Sequence, residues 1–568
     1  MTGVRKFTAF TTAFVWLAVS FAAAAAGRTP VYGTNGMVAS SSALASEVGV
    51  DTLKKGGNAV DAAIATAFAL AVTLPSAGNI GGGGFLVYHG VDGEATTFDF
   101  REKAPLAATA DMYLDDEGKV RDNSNHQGIL SVGVPGTVAG LELAHGRHGR
   151  LEWAELVAPA VRLAREGIPI TWKLHDDFKA RKASWDRYPS SARVFLKADG
   201  ALYQPGDLWV QRDLANTLQR IQRNGKAGFY SDRTAKLLTE FMTANGGIIT
   251  LEDLGAYEAV EREPIRGTYR GFEIVSMPPP SSGGVVLVEM LNILEGFELA
   301  EAGHNSALYL HLLTESMRRG YADRAEYLGD PDFNEDMPIE RLISKEHAGQ
   351  LRASIDLEKA SESDPDLFAA RYESDQTTHL SVVDSAGNMV SLTYTLEQGY
   401  GSKIVVEGAG FLLNNEMGDF NAQPGVTDAN GRIGTEPNRI RPEQRMLSSM
   451  TPTIVARDGI PIFATGTPGG KTIINTTMQT ILNVIDHGMT IAEAIEAPRI
   501  HHQWLPDRTL MERRGFSPDT IDLYEELGHP LIFTDSIGSA MGVYHDRATG
   551  VYLGAADTRA DDGAAVGY

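Results

Sequence analysis

The sequence predicts an α+β protein in which layers of helix pack on hairpin-rich sheet. Three observations carry this: helix-periodic stretches early in the chain, two β-rich runs around a turn signal between His379 and Leu396, and one more helix-periodic stretch, Lys471 to His487, after them. With 568 residues, 43% of them hydrophobic, the chain has ample material for a packed core, as two or more ordinary domains or as one large sandwich.

Taken in order, residues 1 to 26 read as a secretory signal: Arg5 and Lys6 are the charged start, Phe7 to Phe21 is mostly apolar, and Ala22 to Ala26 offer small cleavage-site residues. Counted through the alanines, the stretch is also about the length that spans a bilayer, so an uncleaved anchor stays open. Export, to a periplasm or out of the cell, is the expectation. Ser40 to Lys55 and Asn58 to Leu74 read as helices, the second apolar nearly all round and therefore buried between layers. Gly81 to Gly84 then form a turn leading into Phe85-Leu86-Val87-Tyr88. This turn lacks the Gly-Lys-Ser/Thr ending and precedes a strand, which argues against a phosphate-binding loop. Helical patterns follow at Trp153 to Glu166, Leu214 to Asn224, Ala235 to Asn245, Val286 to Gly296 and Asn305 to Asp330. Strands are expected around Gly267 to Ser276, through Thr378 to Phe411, near Thr453 to Thr465 and at Gly538 to Tyr552.

A formal charge of −23 argues against nucleic acid as the main partner, since a duplex binder needs a cationic footprint. Cysteine is absent, which excludes disulfides, thiolate nucleophiles and Cys-based metal sites. His501 and His502 are adjacent and point to different faces of any regular element, which argues for packing rather than shared metal ligation. No cofactor and no metal site is expected.

The most informative stretch is Gln376-Thr377-Thr378-His379. It joins a polar connection, Ser361 to Gln376, to the hairpin Leu380-Ser381-Val382-Val383 and Met389 to Leu396. With a three-residue loop, Ser385-Ala386-Gly387, and Gly387 left-handed, Asp384 pairs with Asn388 and Thr395 stands opposite Thr377. A four-residue loop shifts this by one residue. A cross-strand threonine pair has an ordinary explanation in strand preference, so the hairpin alone decides nothing.

Its company decides more: Asp99-Phe100-Arg101-Glu102-Lys103-Ala104-Pro105, Gly78 to Phe85, Gly133 to Gly140, Met277 to Gly284, Leu413-Asn414-Asn415-Glu416-Met417-Gly418-Asp419-Phe420, Leu447-Ser448-Ser449-Met450, Thr465-Gly466-Thr467-Pro468-Gly469-Gly470, and Ala497 to Pro506. In number and order these stretches resemble the gamma-glutamyltranspeptidases, of the N-terminal-nucleophile hydrolase superfamily, over nearly everything after residue 30. The resemblance implies a four-layer αββα sandwich built from two chains cut from one precursor between Gln376 and Thr377. A large subunit of about 27 to 376 would pair with a small one of 377 to 568.

It also implies the chemistry. The freed Thr377 would attack the γ-carbonyl of glutathione or a related γ-glutamyl compound, and water, an amino acid or a dipeptide would take the acyl group. Thr395 matches the hydroxyl that orients the nucleophile, and Gly469 and Gly470 match the oxyanion donors. Arg101, Ser448 and Ser449 match the group holding the α-carboxylate, and Glu416 and Asp419 match the acids holding the α-ammonium. Many relatives carry Asn where this chain has Glu397, which would add a third acid and raise the protonation tendency of its neighbours. Ala422 to Gln444 resembles a lid over the pocket. Rival readings are an exported acylase acting on a glutaryl-β-lactam or on poly-γ-glutamate, and a catalytically silent glutamate-binding relative.

Overall fold

The structure, a computed structural model, describes residues 27–363, 377–426 and 434–568. The leader, Gln376 and the middle of the expected lid lie outside the described residues. Two antiparallel seven-stranded sheets form the centre. The first runs Ala564–Gly567, Met37–Ser40, Thr378–Val383, Met389–Thr395, Gly83–His89, Ala95–Phe100, Val260–Arg262. The second runs Val31–Gly33, Val551–Ala556, Met541–Asp546, Ile460–Gly466, Thr453–Arg457, Phe272–Ser276, Ile265–Tyr269.

The period of two along each strand builds the layers. Leu380, Val382, Val390, Leu392 and Tyr394 pack outward on helices that include Ala43–Lys54, Ala59–Thr73 and Trp153–Glu166. Val383 and Met389 face inward, where Val275, Ile454, Ala464, Met541 and Val543 of the second sheet meet them. The second sheet's outer face carries Ile274, Val455 and Phe463 against helices Gly283–Leu294, Ala307–Tyr327 and Thr472–Ile485. The order is helix, sheet, sheet, helix, as the resemblance implied. Every residue of Ala59–Thr73 is buried, in keeping with its unbroken apolar surface.

The hairpin has the expected register. Thr378 pairs with Tyr394 and Val383 with Met389, and the Asp384 N–H donates to the Asn388 carbonyl. Gly387 is left-handed at φ 93°, a conformation that costs a residue with a Cβ. Asp384 Oδ1 accepts the N–H groups of Ala386 and Asn388, and its Oδ2 accepts that of Ala59, tying the turn to a helix N-terminus.

One expectation needs correction. The strand pattern does not continue to Phe411: the strand ends at Thr395, and Leu396 to Phe411 runs through turns in which Glu397, Tyr400 and Lys403 have positive φ. The strands expected around Gly267 to Ser276 form a hairpin, Ile265–Tyr269 and Phe272–Ser276, turning at Arg270-Gly271. The helix Thr137–His148, capped by Gly136 and Gly149, was not expected.

Candidate active site

Thr377 stands at the end of the hairpin, on the face turned toward the second sheet. That face is polar here: His379 bonds Thr393 and Ser381 through its two ring nitrogens, and Ser391 Oγ donates to the Thr465 carbonyl. Burial holds His379 neutral, lowering its pKa to about 3. Thr377 Oγ lies 3.4 Å from Thr395 Oγ. Thr395 Oγ also accepts the Glu397 N–H at 2.9 Å, which fixes the oxygen.

The glycine-rich turn serves this threonine rather than a phosphate. Asn79 Nδ2 donates to the Thr395 carbonyl at 2.8 Å, while Asn79 Oδ1 accepts the Gly82 N–H and the Thr137 hydroxyl. A Cβ on Gly82 would sit 2.0 Å from that carbonyl, so no larger residue fits.

On one side of Thr377 is a tight pocket lined by Arg101, Thr395, Glu397, Glu416, Asp419, Ser448, Ser449 and Gly470. On the other side is a cleft of about 560 Å³ that Gly469 and Pro468 also line. Gly469 and Gly470 have positive φ (136° and 56°) and lead directly into the helix Thr472–Ile485, whose N-terminal end favours negative charge. The structure thus gathers every described site residue expected from the sequence around one hydroxyl.

Arg101 is fully buried, and its guanidinium bonds Glu416, Asp419 and the Met446 carbonyl. These carboxylates hold it protonated. Glu416 is held by Asn414, whose Oδ1 accepts the Glu416 and Gly133 N–H groups and whose Nδ2 donates to the carbonyls of Gly81 and Gly133. The Ser448-Ser449 turn rests on the Met277 to Gly284 stretch: Ser282 Oγ donates to the Ser448 carbonyl, and Ser281 Oγ donates to that of Met450. Arg324 donates to Ser449 Oγ at 3.0 Å.

Glu397 lines the pocket and lies 2.8 Å from His126 Nδ1. With Glu102 it raises the proton affinity of Glu416, although burial is the largest cause. Glu102, whose Oε2 is 3.6 Å from Arg101, is a fourth acid with no role expected from its motif. Burial pushes it up to about 7, against the opposing pull of Arg101. Asn79, Asn414, Arg324 and His126 were likewise unassigned. Asn79, Glu102 and Asn414 sit inside the motif stretches, and that was their one signal.

His501 bonds Asn475 and Gln503, whereas His502 bonds Asp507, so the two imidazoles serve separate packing roles.

Known proteins resemble this chain over most of its length. The family model described as Gamma-glutamyltranspeptidase matches residues 45–567. The chain belongs to the gamma-glutamyltranspeptidase family. It is 46% identical to the glutathione hydrolase proenzyme of Escherichia coli K12 over 543 residues, 95% of this chain and 93% of that protein. Among solved structures, a cephalosporin acylase from Bacillus halodurans superimposes with a TM-score of 0.85 at 28% identity, over 98% of this chain and 99% of that one. A gamma-glutamyltranspeptidase from Helicobacter pylori superimposes with a TM-score of 0.55 at 45% identity, over 56% of this chain and 91% of that one.

Proposed function

We propose that this protein is a self-cleaving gamma-glutamyltransferase and glutathione hydrolase whose nucleophile is Thr377. The observation that carries this is the placement of Thr377 between a pocket of opposite charges and an open cleft, with its hydroxyl beside that of Thr395.

A threonine hydroxyl needs a base, and an N-terminal threonine supplies one in its own α-amine, whose ordinary pKa of about 7.7 to 8.0 leaves a useful neutral fraction near pH 7. In the uncut chain that nitrogen is an amide. Activation therefore begins with attack of Thr377 Oγ on the Gln376 carbonyl; the acyl group moves from nitrogen to oxygen, and water releases the new terminus. Residues 27–376 and 377–568 remain together as a heterodimer.

In turnover the amine takes the Thr377 hydroxyl proton as Oγ attacks the γ-carbonyl, then passes it to the departing amine. The N–H groups of Gly469 and Gly470 receive the oxyanion. Arg101 with Ser448 and Ser449 holds the α-carboxylate, and Glu416 with Asp419 and Glu397 holds the α-ammonium. Arg101 already pairs with Glu416 and Asp419, so a zwitterionic head group exchanges one set of opposite-charge contacts for another without stranding a buried charge. The ester is then released to water or to an amino acid or dipeptide entering by the cleft. Residues 1 to 26 direct the precursor out of the cytoplasm.

Mass analysis of purified protein tests this: the native sequence yields a fragment beginning at Thr377, and Thr377→Ala yields one uncut, inactive chain. A native sample that is active and uncut overturns the reading. The likeness to a cephalosporin acylase favours a second reading, release of a glutaryl group from an amide. The α-ammonium acids argue against it, and γ-glutamyl anilide turned over faster than the matching glutaryl anilide decides between them.

A further inference from the structure

We propose that Glu289, Asp323 and His347 form a divalent-cation site of the zinc type, binding together three helices remote in sequence from the nucleophile. Glu289 lies on Gly283–Leu294, Asp323 on Ala307–Tyr327 and His347 on Lys345–Ala353. One donor atom from each lies within 4.8 Å of the other two. His347 Nε2 is 2.6 Å from Asp323 Oδ2 and 3.9 Å from Glu289 Oε1.

The observation that points to a ligand is Glu289. It is 0% exposed, neither of its carboxylate oxygens meets a donor in hydrogen-bond geometry, and what faces it is a second carboxyl, that of Asp323. A carboxylate taken out of water without a partner is costly, and a second acid facing it adds to the cost. The cation acting on it from a neighbouring element is Arg341, whose guanidinium lies over the Tyr327 ring, 4.8 Å from its centroid. A divalent ion would neutralise both carboxylates at once.

Two carboxylates and one imidazole suit zinc among the first-row metals. Zinc bonds of about 2.0–2.2 Å set tetrahedral donors about 3.3 Å apart, so the shorter separation opens and the longer one closes by about 1 Å or less. Asp323 and His347 lie at the edge of the buried region, which leaves a fourth position to water. Each donor atom ligates in its deprotonated form, so a proton carried by any of them passes to solvent on binding, and Nε2 is the His347 atom that faces the ion.

A second grouping, His311, Glu315 and His529, has no unpartnered carboxylate. Its two imidazoles bond each other at 2.7 Å, and Glu315 is already paired with Arg318 and Arg319. It provides the control.

The test uses processed protein freed of any affinity tag and dialysed against chelator, then given Zn²⁺, Mn²⁺ or Ca²⁺ separately. Bound metal after gel filtration and the shift in Tm are read. The expected result is one Zn²⁺ per molecule and a Tm raised by a few degrees. Glu289→Gln and His347→Asn each weaken binding at least tenfold and abolish the shift while remaining cleaved and active, and His311→Asn binds as the native protein does. X-ray absorption at the zinc edge of the native protein, which needs no variant to fold, shows oxygen and nitrogen ligands with a single imidazole. Absence of stoichiometric zinc, an edge spectrum with two imidazoles, or undiminished binding by Glu289→Gln overturns the proposal. So does a Glu289→Gln protein more stable than native with no response to metal in either, which identifies a carboxyl pair sharing only a proton.

Discussion

Around Arg101 three carboxyls crowd one guanidinium, and Glu102 is the one with no proposed contact to substrate. Its proton affinity is raised because burial removes water, an effect that the neighbouring Arg101 charge opposes but does not cancel. Unfolded, it ionises near the ordinary glutamate value; folded, it holds its proton to about pH 7. Between these values the folded state binds more protons than the unfolded, so stability falls as pH rises through the window. Glu102→Gln removes that charge. The variant is expected to match native protein at pH 5 and to exceed it at pH 8 by a few degrees in Tm, measured by calorimetry across the range; an equal offset at both pH values would remove Glu102 as the titrating group. Thr377 and Thr395 were legible as neighbours because a hairpin register follows from a turn, and the turn residues are local. Asn79 and Asn414 were not, since beside their local bonds each joins segments 58 to 333 residues apart, and nothing local encodes such a meeting.

Among elements, those with a clean period were legible: Trp153–Glu166 starts and ends where its apolar spacing does, and Ala59–Thr73 is buried as its composition requires. The turns after Thr395 were not, because Leu396 to Phe411 keeps its apolar residues to pack on neighbouring layers while its backbone follows the pocket. The segment from Gly434 to Leu447 is of the same kind. Of the expected lid, residues 427–433 lie outside the described residues, but the portion after them is a strut. Asn438 Nδ2 donates to the Asp419 carbonyl at 2.7 Å, and Asn438 Oδ1 accepts the Leu447 N–H at 2.9 Å. One side chain therefore spaces the ammonium side of the pocket from the carboxylate side. Removing a buried amide that meets two backbone groups leaves both unsatisfied. Asn438→Ala is expected to raise the donor KM about tenfold, the loss of roughly 1.4 kcal/mol of binding, with a smaller change in kcat and normal self-cleavage. Steady-state kinetics with γ-glutamyl anilide checks this, and a fall in kcat at unchanged KM would place Asn438 with the nucleophile instead.

Over the whole molecule, the proposed cut falls between two pieces that are interleaved rather than side by side. In the first sheet Met37–Ser40 pairs with Thr378–Val383, and Gly83–His89 pairs with Met389–Thr395. In the second, Val31–Gly33 pairs with Val551–Ala556, and Phe272–Ser276 pairs with Thr453–Arg457. The inter-sheet core likewise draws Val87 and Val275 from one piece and Val383 and Met541 from the other. Separating the pieces would break backbone ladders in both sheets and expose the central core, which is global unfolding by another name. Surface charge contributes little to such a union, so salt has little to screen. No disulfide is available to hold it, because the chain has no cysteine. The cut protein is therefore expected to elute as one species in 1 M salt and under reducing conditions, and to release its two chains only in denaturant. Release should coincide with loss of secondary structure in a single transition, followed by circular dichroism and by size on the same samples. Chains that part before the circular dichroism changes would show that the interleaved sheets do not hold them.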